Sequence, residues 1–322
     1  MVEVTAVKTL RHDLIIDTDP GVDDVVALLV ALASPEALNV LAITTVAGNV
    51  RVEKTSRNAC LAREWAGREQ VPVYAGAARP LQRAPIYAED IHGQEGLPGF
   101  CVQEPRQGLA TGGAVEHLID ILSKAEPHSI TLAMLGPQTN LALALRQAPD
   151  IVRGIREVVV MGGAQTMGGN ITPTAEFNLY ADPHAAEVVL ASGARVVYLS
   201  LDVTHRILTS EARFRQLATL GNRAGALVVA ILQAYVAADM ERYGLSGGPV
   251  HDACVIAYLL QPELFRGRPV HMSVDCHEGP TFGQARIEGG RGSGLSANVL
   301  WIENGDPQGV FDLLCARLAR LG

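Results

Sequence analysis

Short, continuous apolar runs alternate along this chain with longer stretches whose apolar positions recur at helical spacing. The runs are LIID (14–17), LNVLAITTVAG (38–48), VPVYAG (71–76), SITLAML (129–135), REVVVMGG (156–163) and RVVYLSLDVT (195–204). They do not alternate polar with apolar, as expected of strands covered on both faces. Between them the spacing predicts helices over about 23–33, 51–66, 112–125, 138–147 and 182–192. Strand and helix in strict alternation predict an α/β fold, Rossmann-like, with a mostly parallel, doubly wound sheet.

The last third changes character. Helical patterns over about 210–220, 223–241 and 252–260 follow one another without strands. PVHMSVDC (269–276) then reads as a strand, and a closing helix is predicted near 307–320. No repeat or low-complexity linker interrupts the chain. The reading is one α/β domain over 1–322 with a helical subregion at about 205–262. PGFCVQEPRQG (98–108) is predicted to be a long surface loop. GGRGSG (289–294) matches a dinucleotide-binding glycine pattern only loosely and does not open a helix, so it is read as a turn.

Composition narrows the function classes. With 48% hydrophobic residues the chain can bury a sizeable core, and a net charge of −8 argues against nucleic acid or an anionic membrane as partner. Five cysteines without a CxxC read as reduced thiols, and no apolar run approaches the ~20 residues of a membrane span. The first residues lack a secretory pattern, and the expected location is cytoplasmic.

Candidate chemistry gathers where the strands end. DTDPGVDD closes the first run, TTVAGN the second, MLGPQTN the fourth, VVVMGGA the fifth and SLDVTH the sixth. In an open α/β sheet ligands bind beyond the carboxyl ends of the strands, so these tips can converge. DTDPGVDD packs Asp17, Asp19, Asp23 and Asp24 into eight residues. Helix capping accounts for one such acid, and a raised pKa can relieve repulsion in a carboxyl pair. A hard divalent cation relieves all four at once; spacing does not choose between Ca²⁺ and Mg²⁺. Downstream, His251-Asp252 precede an apolar helical run, a pair that also suits a plain helix cap. Asn170, Glu176, Phe177 and Asn178 form an amide, acid and aromatic cluster in a Gly-rich segment, either an ordinary loop or a set suited to sugar hydroxyls.

Taken in order, DTDPGVDD, ITTVAGN, HGQEGL, GPQTNLALAL, VVVMGGA, GNITPTAEFN, ADPHAA, LDVTH and PVHDA resemble the inosine–uridine type of nucleoside hydrolase, from residue 13 to about 260 and more weakly beyond. The resemblance implies hydrolysis of the N-glycosidic bond of ribonucleosides in nucleoside salvage, a bound Ca²⁺ and a homo-oligomer, dimer or tetramer. Carried over by position, Asp19, Asp24 and Asp252 would bind the metal, with the Leu135 carbonyl; many relatives have Thr at that place. Asp19 would also be the general base. Asp23, Asn49 and Asn178 would hold the ribose 2′- and 3′-hydroxyls, Asn170 and Glu176 would reach the 5′-hydroxyl, and Met161 and Phe177 would pack near the sugar. Asp17 would support the loop from behind. Glu95 stands where many relatives carry a smaller acid or a serine.

Breaking a ribosyl C–N bond builds an oxocarbenium-like sugar, so water must be activated, the sugar gripped and the leaving base protonated. His251 is the candidate proton donor on its intrinsic pKa near 6.5; the rival reading is that it orders Asp252 or touches the base. His92 is expected in a loop over the base, and Asp239 and Tyr243 on a helix facing it. A tyrosine there resembles pyrimidine-preferring and broad-specificity members, whereas purine-specific members stack the base between indoles. Trp65 and Trp301 read as packing residues, and the expectation is uridine and cytidine, with inosine in reach. Two other classes stand beside this. A Mg²⁺-dependent phosphohydrolase would explain DTD but lacks its later lysine and acidic loop. A non-catalytic nucleoside-binding protein would not need the full set of acids.

Overall fold

The first strand, β1 (His12–Thr18), shows why its sequence is a continuous apolar run: Leu14 and Ile16 pack into one core and Ile15 into a second. The computed structural model describes residues 11–243, 246–288 and 294–322, without side-chain detail at 234 and 237–243. Side chains alternate across a strand, so a strand with cores on both faces must be apolar throughout. The same division holds in β5 (Ile155–Met161), where Val159 and Met161 face one core and Val158 and Val160 the other.

The remaining strands are β2 (Leu38–Thr45), β3 (Val73–Ala75), β4 (Ile130–Met134), β6 (Val196–Leu199), β7 (Leu208–Thr209), β8 (Gly248–Pro249), β9 (Phe265–Val274), β10 (Ala285–Glu288) and β11 (Val299–Gly305). One sheet runs β10-β9-β11-β6-β5-β4-β1-β2-β3, and β7 pairs with β8. Every pairing from β11 through β3 is parallel; β9 is antiparallel to β11, and β10 to β9. Helices Val22–Leu32, His251–Leu260 and Pro307–Leu318 cover one face, and Ala114–Lys124, Thr139–Gln147 and Pro183–Leu190 the other. The fold is α/β with a mostly parallel, doubly wound sheet. Strand order reverses between β1 and β4, and the crevice at such a switch point is where this architecture holds ligands.

Three parts of the sequence reading need correction. RVVYLSLDVT is a strand only to Leu199; the chain turns at Ser200 and Leu201–Thr204 is a short helix. The helix expected over 182–192 is present as Pro183–Leu190, but a short helix, Phe177–Ala181, that was not expected precedes it; the two are separate because Pro183 has no N–H to continue a ladder and Asp182 caps the second by accepting from Ala185 N. β10 and β11 were not expected: NVLWIENG mixes Asn, Glu and Gly into a strand and shows neither clean alternation nor an unbroken apolar run. GGRGSG falls almost wholly outside the described residues. Among those described, no helix is long and apolar enough to cross a membrane.

Candidate active site

The loop after β1 is tied together by its own acids. Asp24 opens the helix Val22–Leu32 and accepts from Gly21 N at 2.9 Å, the capping contact its position suggested. Capping is one of several tasks: Asp24 also accepts from Thr18 Oγ1 at 2.5 Å, Asp19 N at 3.2 Å and Asn49 Nδ2 at 3.0 Å. Asp19 Oδ2 accepts from Asn49 N at 2.7 Å, while Asp19 Oδ1 is buried without a hydrogen-bond partner. Asp17 lies beneath, held by Thr44 Oγ1 at 2.5 Å and Asn140 Nδ2 at 2.7 Å, and burial pushes its pKa up to about 7.

Asp252 arrives from the far end of the chain, at the start of His251–Leu260. Carboxylate oxygens of Asp23, Asp24 and Asp252 lie within 4.8 Å of one another, all three buried. Burial, then the charges of Asp23, Asp24 and Asp19, pushes Asp252 well above the usual carboxylate range. Asp19 is raised by burial first and then by Asp24 and Asp23. Buried anions this close need protons or a cation between them. The donor set is all oxygen, and Asp19 Oδ1, like Asp17 Oδ1 beneath it, is buried without a hydrogen-bond partner. A hard divalent cation fits these residues. The Asp19 carboxylate fits because Gly48 and Gly136 flank it: a Cβ at Gly136 would lie 2.4 Å from Oδ1, and one at Gly48 would lie 2.0 Å from Oδ2.

The cleft above the acids is bordered by Asn49, Leu135, Met161, Asn170, Glu176 and Asn178, with Phe177, His92, Tyr235 and His251 farther along; its empty space, mouth included, is about 630 Å³. Asn178 Nδ2 donates to Leu135 O at 2.7 Å and Met161 O at 3.2 Å, joining the tips of β4 and β5. Glu176 is no plain loop acid. It caps Phe177–Ala181, accepting from Asn178 N at 2.7 Å, Leu179 N at 3.1 Å and Gly163 N at 2.9 Å. Asn170 Oδ1 accepts from Phe177 N at 2.8 Å.

Burial, then His205 and His92, pushes the pKa of His251 well below the ordinary histidine value. Its Nδ1 lies 2.7 Å from Thr204 Oγ1; with Thr204 donating, the ring proton sits on Nε2. His92 is lowered to about 4 by burial, and its Nδ1 accepts from Val22 N at 3.2 Å.

Residues 14–312 match the family model described as inosine-uridine preferring nucleoside hydrolase. The chain belongs to this family. It is an enzyme, a ribonucleoside hydrolase of the N-glycosidase kind. It is 40% identical to the pyrimidine-specific ribonucleoside hydrolase RihA of Citrobacter koseri, over 95% of this chain and 97% of that protein. A purine-preferring ribonucleoside hydrolase from Gardnerella vaginalis superposes with a TM-score of 0.88 at 31% identity, over 96% of this chain and 98% of that one. A plant nucleoside hydrolase, the PpNRh1 enzyme, gives a TM-score of 0.90 at 30% identity, over 96% and 99%.

This nucleoside hydrolase brings Asp23, Asn49, His92, Leu135, Met161, Asn170, Glu176, Phe177, Asn178, His251 and Asp252 to one cleft, with Asp19 and Asp24 bonded directly beneath through Asn49. The side chains of Asp239 and Tyr243 lie outside the described residues. Tyr235 was missed. Its ring stacks on His92 at 5.5 Å, and the available signal was its place in the same helical segment as Tyr243, eight residues before it. Thr204 and Asp202 were also missed, although LDVTH was noted as a motif. Glu95 stays out of the cleft, paired with Lys54 at 3.0 Å and Arg57 at 2.8 Å. Trp301 is buried against Tyr198 and Trp65 meets Phe100 edge-on; neither borders the cleft.

Proposed function

We propose that this enzyme hydrolyses uridine and cytidine in preference to purine ribonucleosides, with Ca²⁺ bound by Asp19, Asp24 and Asp252 and the Leu135 carbonyl. The observation that carries the reading is the buried carboxylate cluster of Asp23, Asp24 and Asp252, to which Asp19, with its unpartnered Oδ1, is electrostatically coupled. Calcium suits a set of several carboxylates plus a carbonyl in loose geometry, where Mg²⁺ keeps more water. When bound, it would act as a Lewis acid toward water and the ribose diol.

The chain's own groups supply the rest. Asp19, with one oxygen uncommitted, takes the proton of the attacking water. Asn49 spends its Nδ2 on Asp19 O and Asp24 Oδ2, and Asn178 spends its own on Leu135 O and Met161 O; both keep Oδ1 to accept from ribose hydroxyls. Asp23 joins them at the 2′- and 3′-hydroxyls. Glu176 Oε1 and Asn170 serve the 5′-hydroxyl, and Met161 and Phe177 pack the sugar. Held at both ends, the ribose can flatten toward its oxocarbenium form. His251 gives the departing base a hydrogen bond from Nε2–H as a neutral ring, and the His92–Tyr235 pair lies along the base.

The pyrimidine lean is supported by the likeness to pyrimidine-specific RihA and by the lack of an indole around the cleft among the described residues. The test is release of free base and ribose from uridine, cytidine, inosine and adenosine, with and without chelator. Fast uridine cleavage that stops with chelator and returns with Ca²⁺ supports the reading. Equal or faster purine cleavage overturns the base preference, and metal-independent turnover overturns the cation.

A further inference from the structure

Asp202, in the segment SLDVTH after β6, has no role in the chemistry above, yet its carboxylate is bonded to the loop that carries Asn170. Asp202 is buried in the short helix Leu201–Thr204. Its Oδ1 accepts from Thr166 N at 2.7 Å, Thr166 Oγ1 at 2.5 Å and Met167 N at 2.9 Å; Oδ2 accepts from Gln165 N at 2.8 Å and Ser200 Oγ at 3.2 Å. Burial alone would raise this carboxyl, but the donors outweigh it and hold it below the usual range.

Residues 165–167 belong to the loop 162–176 that joins β5 to Phe177–Ala181. All three are exposed, so apolar packing does not hold them. Beyond them the loop closes on itself, Gly169 N to Pro173 O at 3.1 Å and Ile171 N to Ala175 O at 3.3 Å, and this closed piece carries Asn170 and Ile171 into the cleft. A carboxylate with several charge-assisted bonds to one exposed turn is a strong, directional anchor.

We propose that Asp202 is a positioning residue that latches the loop 162–176, holding Asn170 where it meets the 5′ end of the ribose. This rests on the reading above that places Asn170 at the 5′-hydroxyl. Asp202 touches no substrate atom; it lowers the cost of ordering the loop on binding. In Asp202→Asn one oxygen becomes an NH₂ group facing backbone N–H groups, and the latch opens.

The experiment compares wild type, Asp202→Asn and Thr166→Val on uridine and 5′-deoxyuridine, with amide hydrogen exchange at 165–167. Asp202→Asn is expected to raise KM for uridine about tenfold with kcat changed less than about threefold, and to speed exchange at 165–167. On 5′-deoxyuridine the two enzymes should agree within about twofold. Thr166→Val, which removes one bond and keeps the fold, should raise KM about threefold in the same substrate-dependent way. Unchanged uridine kinetics in both variants overturns the latch, as does an equal loss on both substrates. A wild type indifferent to the 5′-hydroxyl instead refutes the assignment of Asn170, and with it the role of Asp202.

Discussion

Asn49 donates its backbone N–H to Asp19 Oδ2 at 2.7 Å and leaves Asp19 Oδ1 buried with no partner. One oxygen fixes the carboxylate while the other stays uncommitted, the arrangement a general base or a metal ligand needs. Asp19→Asn keeps the fixing bond and removes the charge. Its kcat on uridine should fall more than about 10⁴-fold, beyond ordinary acid–base help alone, because cation binding suffers too. Near-normal turnover would remove Asp19 from the mechanism.

Behind that loop, Asn140 donates to Asp17 Oδ2 at 2.7 Å and Thr45 O at 3.0 Å, and accepts from Ala77 N at 2.8 Å. Asn140→Ala removes all three bonds, although Asp17 Oδ2 keeps that from Thr44 Oγ1. The expected loss is at least about 2 kcal/mol in urea unfolding, since each orphaned buried group costs about 1–3 kcal/mol. A change below about 0.5 kcal/mol would mean water replaces the amide.

His92 supplies a pH dependence. Its folded pKa is lowered to about 4, below the unfolded value of 6.5, so between those limits the unfolded chain binds a proton that the folded chain does not. Stability from this residue is whole above pH 6.5 and is lost as pH falls toward 4, by about 3.5 kcal/mol at most at about 1.4 kcal/mol per pH unit. His92→Asn, whose amide oxygen can accept from Val22 N, should flatten that part of the curve of Tm against pH. An unaltered slope would show that other groups control it.

Thr204→Val leaves His251 Nδ1 without its hydroxyl. If Thr204 sets the tautomer, kcat should drop about tenfold with KM little changed, and less for nucleosides with good leaving groups such as p-nitrophenyl riboside. Equal loss on both would point to a structural role.

The alternation of LIID, SITLAML and REVVVMGG with helical stretches was enough to foresee the parallel sheet, because strands between two cores carry that burial in their composition. DTDPGVDD and the HD pair near 251 pointed to the acid cluster because crowded carboxylates are costly unless they have a task. β11 stayed hidden because its neighbours β6 and β9 supply the burial that its own mixed sequence does not announce. The role of Asp202 was invisible for a different reason: its partners are backbone amides of Gln165, Thr166 and Met167, and any sequence there offers those. The lowered pKa of His251 comes from burial and from His205 and His92, which no local spacing reveals.

The most direct measurement is calorimetric titration of Ca²⁺ into chelator-treated enzyme, with uridine hydrolysis followed on the same samples. The expected result is one site per chain and turnover that rises from background in step with occupancy, both lost in Asp252→Ala. Full uridine hydrolysis by metal-free enzyme, or unaltered Ca²⁺ binding in Asp252→Ala, would contradict a cation held among these carboxylates.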